Sequence, residues 1–172
     1  RRSSDLNTIP TDDLMTNMRV NKLLYFAQGE CLRKLGKPLF DDDMEAWDYG
    51  PVVPPVYQTY KGFGREPIKD GVDYQDTFSE QEKNVLFDVL RYYGQFSTSA
   101  LVSLSHEAQS PWAAAHKNGD KHATISKESI KAFFESKPPI PEFTIPYQEN
   151  HFAGYRDKDG YLVLPKEWDD EA

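Results

Sequence analysis

The chain has 172 residues, of which 38% are hydrophobic and 28% are charged, and its formal net charge is −8 at pH 7. This composition is typical of a globular protein with one main core. The negative charge argues against binding to nucleic-acid phosphates, which requires clustered Lys and Arg, and it favours a basic protein partner. Because Cys31 is the single cysteine, a disulfide framework and a multi-cysteine zinc site are excluded.

The same composition indicates the compartment. The near absence of cysteine is typical of the reducing cytoplasm, and no apolar run approaches the ~18–20 residues that span a bilayer. We therefore expect a cytoplasmic protein without a membrane partner. The chain begins at Arg1 rather than Met, so we also expect an N-terminal segment to precede it.

The first predicted element is a helix over Asn17–Leu35. Apolar residues recur there at helical spacing, namely Val20, Leu23, Leu24, Ala27, Cys31 and Leu35. The other faces are expected to carry the polar residues Lys22, Gln28, Glu30 and Lys34. Gly36 ends this helix by adopting a positive φ. Since Cys31 lies on the apolar stripe, we interpret it as a core residue rather than a nucleophile.

An extended segment over residues 37–48 leads into residues 45–64, EAWDYGPVVPPVYQTYKGFG, here called the aromatic corner. Pro54 and Pro55 suit the first turn of a short helix, which Gly62 would end. The corner has four large aromatic side chains, Trp47, Tyr49, Tyr57 and Tyr60.

Two interpretations of the aromatic corner are compatible. In the first, Trp47 and Tyr49 wedge the extended segment against the first helix. In the second, the tyrosines form a rigid contact patch for another protein, because Tyr and Trp offer a large area at a low entropic cost.

The middle of the chain predicts a small hairpin over Pro67–Tyr74, centred on Asp70-Gly71. Four helices follow, each placed by an N-terminal cap. The caps are Ser79 with Glu82 three residues later, then Ser97 or Thr98, then Ser110 before Pro111, and Ser126. Gly94 and Gly119 end the first and third of these helices.

The composition changes at Lys137. Prolines over residues 138–146 predict an extended arm, residues 155–160 predict a turn, and Tyr161–Leu164 predicts a strand. The sequence therefore predicts a mainly α fold, a compact bundle of about six helices with one or two short β-hairpins, over residues 14–136. Residues 137–172 would add a Pro-rich arm and a C-terminal β-hairpin.

The sequence holds no pattern that requires a metal or cofactor. The histidines lack the spacing of a helical metal pair, and they are His106, His116, His122 and His151. Asp157 and Asp159 begin a calcium-loop pattern without the later bidentate Glu. Residues 62–64 lack the Lys and Ser/Thr of a phosphate-binding loop.

The sequence also gives no support for a catalytic nucleophile. Adjacent side chains on a helix diverge by about 100°, so Ser105 and His106 do not form a Ser–His pair by themselves. We interpret His106 as a group that ties the helix end to a neighbouring segment, with Pro111 and Trp112 packed beside it. No catalytic residue is predicted; a metal- or thiol-dependent hydrolase, the latter through Cys31, is the weakest hypothesis.

Several blocks resemble one family, the Panacea domain, which is the SocA-like antitoxin domain of bacteria and phages. In the first half these blocks are NKLLYFAQG at 21–29, GKPLF at 36–40, EAWDYGPVVP at 45–54, and Tyr57. In the second half they are Tyr93-Gly94, Ser97, Leu101, LSHE at 104–107, and SPW at 110–112. The resemblance covers about residues 14–136. The helix that usually precedes the LLYF block is shortened here.

The resemblance implies a mostly helical domain and an antitoxin of a two-gene toxin–antitoxin system, including those of prophages. Members pair with unrelated toxins, among them translation inhibitors and alarmone synthetases, so a cognate toxin encoded by the adjacent gene is the expected partner. One member instead delivers its toxin to an ATP-dependent protease, which is the alternative role. No catalytic residue is implied. The candidate partner-binding residues are Trp47, Tyr49, Pro54, Tyr57, Tyr60, His106 and Trp112.

Overall fold

A computed structural model describes residues 14–69, 77–117 and 119–141, together with residues 155, 156, 158, 162 and 163. In these residues the helices are α1 Asn17–Leu35, α2 Pro54–Tyr60, α3 Glu80–Tyr93, α4 Thr98–Ser105, α5 Pro111–His116 and α6 Lys127–Ser136. The strands are β1 Met44–Trp47, β2 Gly50–Val52, β3 Thr124–Ile125, β4 Tyr155–Arg156 and β5 Leu162–Val163. The predicted mainly α fold with short hairpins is confirmed.

The central helix α1 packs against α3, α6, α4 and α2 and against strand β2. An aromatic cluster fills the interface: Phe26 stacks on Tyr93 with ring centroids 4.1 Å apart, and Tyr25 meets Phe134 edge-to-face at 5.5 Å. Such pairs add about 0.5–1.5 kcal/mol each beyond the area that they bury. Cys31 is fully buried in this core, as predicted.

The faces of α1 on which the polar residues were predicted are largely covered, because thirteen of its nineteen residues are buried. Lys22, Gln28 and Glu30 are 1%, 0% and 4% exposed. A buried polar group needs a hydrogen-bond partner, and Gln28 finds its partners in a loop. Its Nε2 donates to the Phe40 carbonyl, and its Oε1 accepts from the Leu39 N–H. The Glu30 carboxylate instead accepts from Arg33 on the same helix.

A three-stranded antiparallel sheet with the order β2-β1-β3 lies beside α1. Trp47 pairs with Gly50 at the β1–β2 turn, and Met44 pairs with Ile125 of β3. The sequence predicted extended chain before the turn but neither the pairing nor strand β3, since two residues are too few to show a period.

Side-chain caps begin four helices as predicted. Ser79 forms the full capping box with Glu82, and the other capping serines are Ser97, Ser110 and Ser126. Two predicted helix ends are wrong. Gly62 lies inside a 3-10 turn over Lys61–Phe63 that follows α2, and α5 ends at His116, before Gly119.

Contacts divide the chain into two compact units after Pro141. The second unit contains the predicted C-terminal hairpin, in which Tyr155 pairs with Val163 and Arg156 with Leu162. The domain boundary at residues 136 and 137 stays a prediction. Most of the predicted hairpin over Pro67–Tyr74 lies outside the described residues. Among the helices described, none combines the length and the apolar character needed to cross a bilayer.

Candidate partner-binding surface

Trp47 is held between two elements at the end of β1. Its half-buried ring meets Tyr57 of α2 at 4.7 Å and His122 at 5.2 Å, both edge-to-face, and its Nε1 donates to Glu45 Oε2 at 2.7 Å. Tyr49, in the following turn, is 70% exposed. The wedge interpretation is therefore wrong for Tyr49, which faces solvent, and Trp47 rests on α2 and the loop before β3.

Helix α5 extends this aromatic surface through Trp112. The Trp112 Nε1 donates to the Trp47 carbonyl at 2.7 Å, and the Trp112 ring stacks between His106 at 3.7 Å and His116 at 4.6 Å. The predicted packing of Trp112 beside His106 is confirmed. The His106 Nε2 is buried without a hydrogen-bond partner among the described residues, so this atom does not provide the predicted tie to a neighbouring segment. Burial lowers the pKa of His106, and nearby Lys22 and His116 lower it further, so His106 stays neutral more readily than a solvated histidine.

Two histidine–carboxylate pairs border the tryptophans. His122 Nδ1 lies 3.1 Å from Glu45 Oε2, and His116 Nε2 lies 3.1 Å from Asp48 Oδ1. The hydrogen bond from His116 holds the pKa of Asp48 below its usual range, and the Lys121 ammonium contributes to the same shift. We call the whole set the Trp–His surface, defined by Trp47, Asp48, Tyr49, Tyr57, His106, Trp112, His116 and His122.

The structure thus brings five of the seven candidates into one surface and places the other two beside it. Pro54 opens α2 and Tyr60 closes it, and both are half-buried. His116 and His122 were examined in the sequence only as a zinc pair. His116 lies four residues after Trp112 on α5, so helical spacing alone could have indicated their contact. The place of His122 beside Trp47 depends on the pairing of β3 with β1, which the sequence did not reveal.

Beneath the aromatic corner, three side chains of α1 form hydrogen bonds with main-chain atoms of the corner. Lys22 Nζ donates to the Pro51 carbonyl at 3.0 Å, Asn21 Oδ1 accepts from the Val53 N–H at 2.9 Å, and Asn17 Nδ2 donates to the Tyr57 carbonyl at 3.0 Å. Burial lowers the pKa of Lys22 to about 7. Sequence reasoning missed these residues; the signal available was a run of polar side chains in a helix flanked by apolar segments.

The groups considered for nucleophilic chemistry are inside the protein. Ser105 is fully buried, and its Oγ donates to the Val102 carbonyl at 2.7 Å. Burial raises the pKa of the Cys31 thiol, which disfavours the reactive thiolate. Within the described ranges, no three His, Cys, Asp or Glu side chains form a group that could hold a metal ion.

Comparison with known proteins gives two matches. Residues 20–113, more than half of the chain, match the family model described as antitoxin SocA-like, Panacea domain. The curated protein Antitoxin SocA of Caulobacter vibrioides is 33% identical over 109 residues, an alignment that covers 57% of this chain and 58% of that protein. No solved structure matches the chain significantly.

Proposed function

Because the chain belongs to the family of SocA-like antitoxins with a Panacea domain, we propose that it is an antitoxin that neutralises a cognate protein toxin by direct binding. The match over residues 20–113 is the observation that carries this proposal. We infer a noncatalytic role, because the neutralisation needs only a surface that covers the toxin.

The Trp–His surface is the proposed point of contact. A stable interface buries roughly 800 Å² on each partner and depends on a few aromatic anchors. Trp47 and Trp112 are fixed by hydrogen bonds to Glu45 and to the Trp47 carbonyl, so little rotamer entropy remains to be lost on binding. Tyr49, 70% exposed, supplies the most accessible aromatic ring beside them.

The negative charge of the protein indicates which kind of toxin surface it would bind. The net charge of −8, the Asp48 carboxylate on this surface and the Glu45 carboxylate beside it favour a basic toxin surface. Such complementarity raises association rates more than final affinity. The association rate with the toxin should therefore fall as the salt concentration rises.

Coexpression with the protein encoded by the adjacent gene tests the function. We expect that protein to arrest growth alone, and this chain to restore growth and to copurify with it. The proposal is wrong if the neighbour is harmless and no complex forms. An unchanged toxin lifetime distinguishes direct neutralisation from the alternative, delivery to an ATP-dependent protease.

Single substitutions locate the contact. Tyr49→Ala should weaken binding at least about fivefold, the scale of an interface residue worth 1 kcal/mol, with the melting temperature unchanged because the ring is solvent-exposed. Phe87→Ala, at a 38% exposed aromatic residue on α3, is the matched control. Equal effects of the two variants would place the contact elsewhere.

A further inference from the structure

We propose that Asn17, Asn21 and Lys22 of α1 form a buried clamp that positions the aromatic corner for partner binding, an inference that rests on the proposed function. The three are positioning residues: they set the affinity for the partner through the corner without forming part of the Trp–His surface.

The first argument is the pattern of hydrogen bonds. The clamp bonds to the main chain at Pro51, Val53 and Tyr57, the stretch that runs from β2 into α2. Its members are also joined, because Asn21 Nδ2 donates to the carbonyl and to Oδ1 of Asn17 at 2.9 and 3.0 Å. They are 4%, 1% and 1% exposed. The corner is thus anchored at three points to the most buried helix described.

The second argument is that the β1–β2 ladder within the corner is short and is interrupted by proline. Pro51, Pro54 and Pro55 have no N–H to donate, and strand β2 contains only three residues. Buried main-chain groups still require partners. The α1 side chains supply these partners at sites that an apolar residue would leave unsatisfied.

The third argument is the close contact between Lys22 and the β1–β2 turn. Gly50 has a φ of 106°, and a Cβ added there would lie 2.8 Å from Lys22 Cε and 2.8 Å from Ser105 Oγ. Gly50 pairs with Trp47 across the turn. The Lys22 stem therefore lies directly under the residue that sets the position of Trp47 and of exposed Tyr49.

A polar clamp is not required for stability alone. Replacing buried charged groups by apolar residues of similar size is often neutral or stabilising, whereas a buried polar network can specify one arrangement of the chain. Removing the clamp should therefore change the order of the corner more than it changes the stability of the core.

The test compares Lys22→Met, which keeps the aliphatic stem and removes the donor, with Lys131→Met at a 42% exposed side chain on α6. Amide hydrogen exchange over residues 50–57 should accelerate about tenfold in Lys22→Met, consistent with the loss of one buried hydrogen bond. Exchange in α3 and α6 should not change. Lys131→Met should resemble the wild type throughout.

Binding to the protein encoded by the adjacent gene is measured in parallel at pH 6.0 and pH 8.5. Affinity should fall about tenfold in Lys22→Met at pH 6.0, while the melting temperature stays equal or rises. In the wild type the affinity should decrease toward pH 8.5, because a neutral amine is a weaker donor to the Pro51 carbonyl than an ammonium. The difference between the two pH profiles reports Lys22 together with His106, whose pKa Lys22 lowers, since His116 and His122 are present in both proteins.

Unchanged exchange over residues 50–57 together with unchanged affinity would overturn the clamp. If Lys22→Met does not fold, Asn17→Ala, which removes the donor to the Tyr57 carbonyl, is tested against the same two outcomes. If the wild type binds no toxin, the proposed function fails, and the exchange measurement alone decides whether α1 positions the corner.

Discussion

Burial of Lys22 predicts an unusual dependence of stability on pH. Its side chain is 1% exposed, and burial lowers its pKa from 10.5 to about 7 in the folded protein. Between these values the unfolded chain binds a proton at this site that the folded chain does not. The free energy of unfolding contributed by Lys22 therefore rises with pH above 7 and levels off above 10.5.

The magnitude follows from the two pKa values. Each pKa unit corresponds to about 1.4 kcal/mol, so the full effect between pH 7 and pH 10.5 is about 5 kcal/mol. Between pH 7 and pH 9 the wild type should gain about 2 kcal/mol relative to Lys22→Met, in which no group titrates at this site.

Urea unfolding followed by circular dichroism, at half-unit steps from pH 7 to pH 9, measures this difference. Burial raises the pKa of Tyr25 and of Tyr93, so their opposite contribution is lost only as the pH passes their unfolded value of 10.0, and the range stops below it. Parallel stability curves for the wild type and Lys22→Met would refute the reasoning, because the ammonium would then be as well solvated in the folded protein as in the unfolded one.

Three further predictions concern the aromatic corner and the C-terminal segment. Trp47→Ala should lower the free energy of unfolding by about 2 kcal/mol in thermal melts, less than the ~3–5 kcal/mol of a fully buried ring, because Trp47 is half-buried; a loss above 4 kcal/mol would contradict this. Gly50→Ala should lower the free energy of unfolding by about 1–3 kcal/mol, because Gly50 has a positive φ and an added Cβ would contact Lys22. Gly62→Ala, at a position with open space around it, should change the free energy of unfolding by less than about 1 kcal/mol. Deleting residues 142–172 should leave a helical unit that unfolds cooperatively in thermal melts. A noncooperative melt would show that the first unit does not fold alone.

Local signals in the sequence placed most of the helices. The caps at Ser79, Ser97, Ser110 and Ser126 depend on residues three positions apart, so they can be recognised without the fold. The blocks at 21–29, 36–40, 45–54, 104–107 and 110–112 together indicated the family. Gly62 was wrongly predicted to end α2. The helix is followed directly by a 3-10 turn that contains Gly62, and a glycine can lie inside such a turn without adopting a positive φ.

The tertiary structure decided which residues of α1 are buried and which aromatic residues meet. Periodicity placed Lys22 and Gln28 outside the apolar stripe of α1, but it did not show that those faces are covered. Elements on several sides of α1 bury both residues and supply their partners. The two histidine–carboxylate pairs join residues 68 and 77 positions apart. Cap and turn residues interact with neighbours a few positions away in the chain, so the sequence alone reveals them. Burial of a polar side chain depends on which distant segment packs against it, and only the tertiary structure shows that.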